Sequence, residues 1–351
     1  MIDKEKIAGC AKKTFLALKN PFNTVKSVNP LVINKVCRLD EAYYLGVKDT
    51  KAIPSSLIDK MSVAGFLRHT TDFMTAGGRA VDIYLKNPLT TSFMSGSSAA
   101  SALNVFYRIN DCAIASDGGG SVLAPAASLN LYSFISPLIA SDFVKQFVKT
   151  STDGISFYPS IGFIASGLDI LLKMFAAAYP AFSATLKNSI AETSVLLPSQ
   201  SAKDIYKPSF NYVYEKLLSA KCKIETIETP DIFGERKPLI SFLNETVRDG
   251  KILISIEGPI DQNGIGDGIY GCFDERTKEI QKKSGKGFLR VVNMAKLTAV
   301  GVPLKELGIA AFIICQNSET EIAKAFSAAK TLQTSLPPQV EAYFSNLDMY
   351  F

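Results

Sequence analysis

Short apolar, β-favouring runs alternate with helical stretches along almost the whole chain, and this alternation restricts the fold more than any other feature. Strands separated by helix-length segments belong to the α/β class, in which helices cover a central sheet. The strand runs include Tyr43-Tyr44-Leu45-Gly46-Val47, Cys112-Ala113-Ile114-Ala115-Ser116, Lys251-Ile252-Leu253-Ile254-Ser255-Ile256, and residues 297–302 and 308–315. The 3.6-residue period predicts helices over 1–20, 58–68, 99–107, 141–149, 164–178, 209–219 and 320–334. The expected architecture is three-layer α/β/α around a mixed, largely parallel sheet, with the functional loops following strands.

Composition sets limits on partners. With 351 residues, 47% of them hydrophobic and 20% charged, the chain can bury a large core, and no linker divides it. The net charge is +5, but the basic residues are scattered. Only Lys282, Lys283 and Lys286 cluster, beside glycine and serine, which reads as a solvated loop rather than a phosphate-tracking face. No nucleic-acid partner is expected.

Six cysteines (Cys10, Cys37, Cys112, Cys222, Cys272, Cys315) are widely spaced and only one histidine, His69, is present, so no metal site is expected. The opening MIDKEKIAGCAKK mixes charges and lacks a signal peptide's apolar core, which predicts reduced thiols and cytoplasmic residence. Residues 161–182 are strongly apolar, but Asp169 and Lys173 interrupt them at helical spacing. A bilayer centre penalises charge by about 2.5–3.5 kcal/mol per residue, so a soluble helix is predicted and no membrane association is expected. Gly266-Asp267-Gly268-Ile269-Tyr270-Gly271 matches G-x-G-x-x-G, yet a polar loop separates it from the preceding strand, and it reads as a surface loop.

A lone histidine also narrows the chemistry, because histidine is the usual base beside a serine or cysteine nucleophile. His69, in Leu67-Arg68-His69-Thr70-Thr71, has no glycine-framed nucleophile nearby and reads as a surface or helix-end residue. Lysine is the natural substitute, since burial lowers its pKa until a neutral amine exists near neutral pH. The strand at 112–116 runs into Asp117-Gly118-Gly119-Gly120-Ser121, where glycines let backbone N–H groups converge on a developing oxyanion. Taken alone, such a loop is equally a turn or a phosphate-approach loop.

Two motifs in register add a resemblance. Ser95-Gly96-Ser97-Ser98-Ala99-Ala100-Ser101 and Ser116-Asp117-Gly118-Gly119-Gly120-Ser121-Val122-Leu123-Ala124-Pro125-Ala126-Ala127 resemble the glycine- and serine-rich core of the amidase signature family. Leu45-Gly46-Val47-Lys48-Asp49 resembles that family's strand ending in a catalytic lysine, and residues 293–330 resemble its C-terminal strand, strand, helix closure. The resemblance implies an amidase-signature-like catalytic domain over 43–351; the opening, with its predicted helix and the irregular Pro21 and Asn29-Pro30 connection, reads as an N-terminal helical cap over 1–42. The same resemblance implies a Ser-cisSer-Lys triad, with Ser121 as nucleophile, Ser97 as the bridging serine after a cis Gly96–Ser97 bond, and Lys48 as base. Gly118, Gly119 and Gly120, with the Ser121 amide, would form the oxyanion hole; Ser98 and Asp117 would support it.

The implied activity is hydrolysis of a small-molecule carboxylic amide through an acyl-enzyme, with no cofactor. Acyl transfer to another acceptor, membership of a tRNA-dependent amidotransferase, and a catalytically retired scaffold stay open, as does assembly into a homo-oligomer or with a partner subunit. Leu123 departs from the family's usual arginine. The segment from Lys48 to Ser97 is short for the family, which keeps Lys51 and Lys60 as alternative bases.

Overall fold

The computed structural model of the protein describes residues 4–36, 38–39, 41–182, 190–191, 193–199 and 206–344, so Cys37 lies outside the described residues. Eleven strands form one continuous sheet. In chain order they are β1 Val25–Val28, β2 Tyr43–Lys48, β3 Phe66–Asp72, β4 Cys112–Asp117, β5 Tyr132–Ser136, β6 Ser160–Ala165, β7 Ser194–Pro198, β8 Lys223–Ile227, β9 Ile252–Glu257, β10 Thr298–Pro303 and β11 Ala310–Cys315. Across the sheet they run β1-β3-β2-β4-β6-β5-β10-β11-β9-β7-β8.

The sheet is mixed, as expected, although antiparallel pairs outnumber parallel ones. Parallel pairing joins β2 to β3 and β4, and β7 to β8 and β9. The central strands and the β1 edge are antiparallel. Segment 1–42, expected as a helical cap, contains the helix Lys4–Lys19 and also supplies the edge strand β1.

Alternating side chains point to opposite faces of a strand, so each central strand feeds two cores. On one face Ile114, Phe134, Phe163, Val300 and Ile313 pack beneath the helices Leu168–Ala178, Lys207–Ser219 and Glu319–Thr331. On the other face Ala113, Ala115, Ile135, Ala299 and Phe312 meet the helices Ala99–Phe106, Leu123–Ser128 and Arg236–Thr246. This is the three-layer arrangement. Burial of each large apolar side chain contributes about 1.5–3 kcal/mol, which explains why the central strands read as unbroken apolar runs.

Three predicted helices are corrected. The helix expected over 58–68 is Ser55–Val63; Gly65, at φ +89°, ends it and β3 follows. The helix expected over 164–178 starts at Leu168, because residues 160–165 pair on both sides as β6. The soluble helix expected within 161–182 is therefore a strand followed by a helix; among the described residues no helix is long and apolar enough to cross a membrane. Of 141–149 only Ser141–Val144 is helical, and the chain then forms a hairpin of Lys149–Thr150 with Ser156–Phe157.

His69 is likewise not at the surface. It is fully buried in β3, and its Nδ1 lies 2.8 Å from Asn110 Oδ1. Burial lowers its pKa to about 4, so it is neutral at physiological pH.

Candidate active site

Parallel strands end on the same side, and the β2–β4 pair uses this to bring Lys48 beside Ser116 and Asp117. Lys48 is 2% exposed. Its Nζ faces Ser97 Oγ at 2.8 Å, Ser98 Oγ at 3.0 Å and the Ser116 carbonyl at 3.2 Å. An ammonium carries three donors, and these partners take all three. Burial is the main force lowering the Lys48 pKa to about 7; nearby Lys149 adds to it and Asp117 opposes it. A neutral amine is therefore accessible without leaving the physiological range. Lys51 and Lys60, the alternative bases, are exposed, and Lys60 faces the Ala178 carbonyl.

Ser97 sits at a sharp reversal. Gly96 adopts φ +74°, and a Cβ there would stand 2.5 Å from Pro125 Cδ, so only glycine lets the two serine loops approach. The Gly96–Ser97 bond, expected cis, is trans; the cis bond among the described residues is Gly258–Pro259. The left-handed glycine provides the turn that directs Ser97 Oγ toward Lys48. Thr75 steadies this loop, its N–H donating to the Ser97 carbonyl at 3.3 Å, while its hydroxyl donates to Asp82 Oδ2 at 2.9 Å and lies 3.3 Å from the Gly96 carbonyl. Ser98 precedes the helix Ala99–Phe106 but makes no side-chain cap bond, because its hydroxyl receives Lys48.

The loop after β4 is organised by Asp117. Its carboxylate accepts from the amides of Gly120 at 2.7 Å, Val122 at 2.6 Å and Leu123 at 3.3 Å. Burial raises the Asp117 pKa, and those backbone donors, with Lys48, pull it back. The Gly120 amide, expected in the oxyanion hole, is thus committed to Asp117. The amides of Gly118, Gly119 and Ser121 have no acceptor among the described residues. Ser121 is half-buried, and its hydroxyl makes no hydrogen bond to Ser97. Leu123 is fully buried among apolar side chains, so the loop is held by Asp117 rather than by an arginine at that position.

Further supports come from the C-terminal half, and sequence reasoning missed them. Asn293 Nδ2 donates to the carbonyls of Gly118 at 3.1 Å and Tyr158 at 3.0 Å, and its Oδ1 accepts from Ser160 at 2.6 Å. A single asparagine gives no periodic or motif signal. Glu257 ends β9 and accepts from the Gly287 amide at 2.6 Å and the Leu289 amide at 3.3 Å. It is fully buried, and burial raises its pKa to about 7. An acid closing an unbroken apolar strand was the available signal. Leu289 in turn backs Gly120, where φ is +93° and a Cβ would stand 2.5 Å from Leu289 Cδ1.

Asn293→Ala leaves the Gly118 and Tyr158 carbonyls unpaired. Unsatisfied buried groups cost about 1–3 kcal/mol, so urea unfolding is expected to shift to a lower midpoint by a corresponding amount. An unchanged midpoint would show that water replaces the asparagine at no cost.

Beside Gly119 opens a cavity of about 730 Å³ lined by residues including Thr152, Asp153, Phe233, Arg236 and Arg290. A Cβ on Gly119 would stand 3.4 Å from the Arg290 carbonyl and 3.9 Å from Arg236 Nη1. The cavity thus adjoins the loop carrying the free amides. Among the described residues no cluster of histidine, cysteine or acidic side chains could hold a metal ion.

No protein-family model matches the sequence, and no curated protein is similar to it in sequence. Solved structures are similar in fold. One component of the glutamyl-tRNA(Gln) amidotransferase of Thermotoga maritima superposes with a TM-score of 0.65 at 15% identity, covering 96% of this chain and 97% of that one. A 6-aminohexanoate cyclic dimer hydrolase gives 0.63 at 13%, covering 94% and 95%. The peptide amidase of Stenotrophomonas maltophilia gives 0.62 at 13%, covering 95% and 96%. The chain has the fold of these amidase-family structures.

Proposed function

We propose that the protein is a serine-dependent amidase of the amidase signature family, cleaving a small-molecule carboxylic amide through Ser121, Ser97 and Lys48. The observation that carries this reading is the buried Lys48 amine, poised to be neutral and 2.8 Å from Ser97 Oγ, below a loop with three unclaimed amides. Neutral Lys48 accepts a proton from Ser97 as Ser97 accepts one from Ser121, and Ser121 attacks the amide carbon. The amides of Gly118, Gly119 and Ser121 receive the oxyanion; Gly120, locked to Asp117, shapes the loop. The proton returns through the same relay to the leaving amine, and water then cleaves the acyl-enzyme. The Ser97–Ser121 bond is the one link not made in the free protein, and such bonds commonly tighten only when substrate binds.

The same site supports acyl transfer to a non-water acceptor, and the likeness to a component of an amidotransferase favours keeping that reading second. Release of free acid from a panel of amides separates the two. We place the protein in the cytoplasm on its cysteine pattern. The direct test is exposure to a small fluorophosphonate followed by mass spectrometry of tryptic peptides. An adduct on Ser121 is expected; folded protein with no adduct, using the smallest reagent, would leave a retired scaffold as the better reading.

A further inference from the structure

Two stretches that the reaction does not use, 264–271 and 282–286, meet behind the Ser97 loop. Lys286, expected in a solvated loop, is buried: its side chain is 4% exposed and pairs at 2.6 Å with Asp261, itself 5% exposed. Beside this ion pair, its Nζ donates to the carbonyls of Gly266 at 3.1 Å and Ala80 at 3.2 Å. Asp261 Oδ1 accepts from the Gly266 amide at 2.8 Å, so the glycine loop is wrapped around the ion pair. A Cβ on Gly266 would stand 2.5 Å from Lys286 Cδ, which explains glycine there without any phosphate.

The Ala80 carbonyl is the informative partner, because it also accepts the Gly96 amide at 2.7 Å. Gly96 is the residue that turns the chain to aim Ser97 at Lys48. A second tie joins the same elements: Arg79 Nε meets Asp267 Oδ2 at 2.9 Å, with the Asp267 side chain 1% exposed. A buried ion pair is weak evidence for stability, since desolvation offsets much of the attraction. Here the lysine also holds the Ala80 carbonyl, which is one hydrogen bond from Gly96, the residue before Ser97.

We propose that Lys286, oriented by Asp261, is a positioning residue for Ser97, acting through the Ala80 carbonyl and the Gly96 amide. Its catalytic consequence rests on the assignment of Ser97 to the relay; its structural consequence does not.

The test replaces both charges, in Lys286→Met with Asp261→Asn, so that no lone buried charge remains to unfold the protein. Hydrogen exchange by mass spectrometry over 93–98 is expected to quicken about tenfold or more, with β10 and β11 peptides unchanged. Turnover of an amide substrate should fall about tenfold or more in kcat while KM stays within about twofold, since small misplacements of a relay are costly in rate. Arg79→Met with Asp267→Asn, which cuts the second tie and likewise leaves no lone buried charge, should give a smaller change of the same kind, and Lys286→Met alone in a stabilising osmolyte keeps the exchange readout available if the double variant does not fold. Unaltered exchange at Gly96 in a folded variant overturns the proposal, as does a loss carried by KM alone. Should wild-type protein fail to cleave amides, the exchange result still stands or falls by itself.

Discussion

Ser121→Ala is expected to abolish amide turnover and fluorophosphonate labelling together while leaving cooperative unfolding intact. The serine hydroxyl makes no hydrogen bond to Ser97 and is half-buried, so its removal costs little structure. The loss in rate should be large, on the order of 10³-fold to 10⁶-fold, because relay members act as a unit and removing one disables the rest. Residual hydrolysis over water would reflect the free amides of Gly118, Gly119 and Ser121. Ser97→Ala should slow labelling strongly without moving its site. Labelling of Ser121→Ala at an unchanged rate would mean that another serine is the nucleophile.

The second large effect concerns pH. Only neutral Lys48 can accept a proton, and its pKa is about 7, so activity should rise with pH through that value and then level. Lys48→Met is expected to remove this limb and lower the rate by about 10³-fold or more. Survival of the limb would transfer it to another group, of which buried Glu257, with a pKa raised to about 7, is the first to examine. Glu257→Gln distinguishes the two, since it keeps the size of the side chain and removes the titration.

Stability should follow the same proton with a defined sign. The folded pKa of Lys48 is about 7 against 10.5 for the free side chain, so between those values the unfolded chain binds more protons. Wild-type stability is then expected to rise with pH across that window, by at most about 1.4 kcal/mol per pH unit from this group. Below pH 7 both states are protonated and the full burial penalty persists. Urea titrations at several pH values, compared with Lys48→Met, isolate this contribution; equal slopes would exclude it.

Much of this was legible in the sequence. Apolar runs such as residues 112–116 and 252–256 fixed central strands because a strand buried on both faces has no polar alternation to show. Lys48 at a strand end and the Gly-Ser loops at 96–98 and 118–121 were legible as local chemistry. The α-versus-β choice at 160–165 was not, because a short apolar run carries no decisive period, and pairing with β4 and β5 settled it. The 58–68 segment misled for a related reason: its helix ends at Gly65, and the following residues gain more by joining β2.

Local pattern was enough for the α/β class, and it singled out the glycine loop at 118–121 and the residue types that could work without histidine. Which polar groups are spent and which are free follows largely from contacts between distant segments. The fold assigned the Gly120 amide to Asp117, left those of Gly118, Gly119 and Ser121 open, and made the Gly96–Ser97 bond trans. It also buried His69 and Lys286, which local context had placed at the surface. The reason is physical. Burial, pKa and hydrogen-bond partners depend on residues such as Asn293, Glu257 and Asp261, more than a hundred positions from Ser121, and distance along the chain carries no record of contact in space.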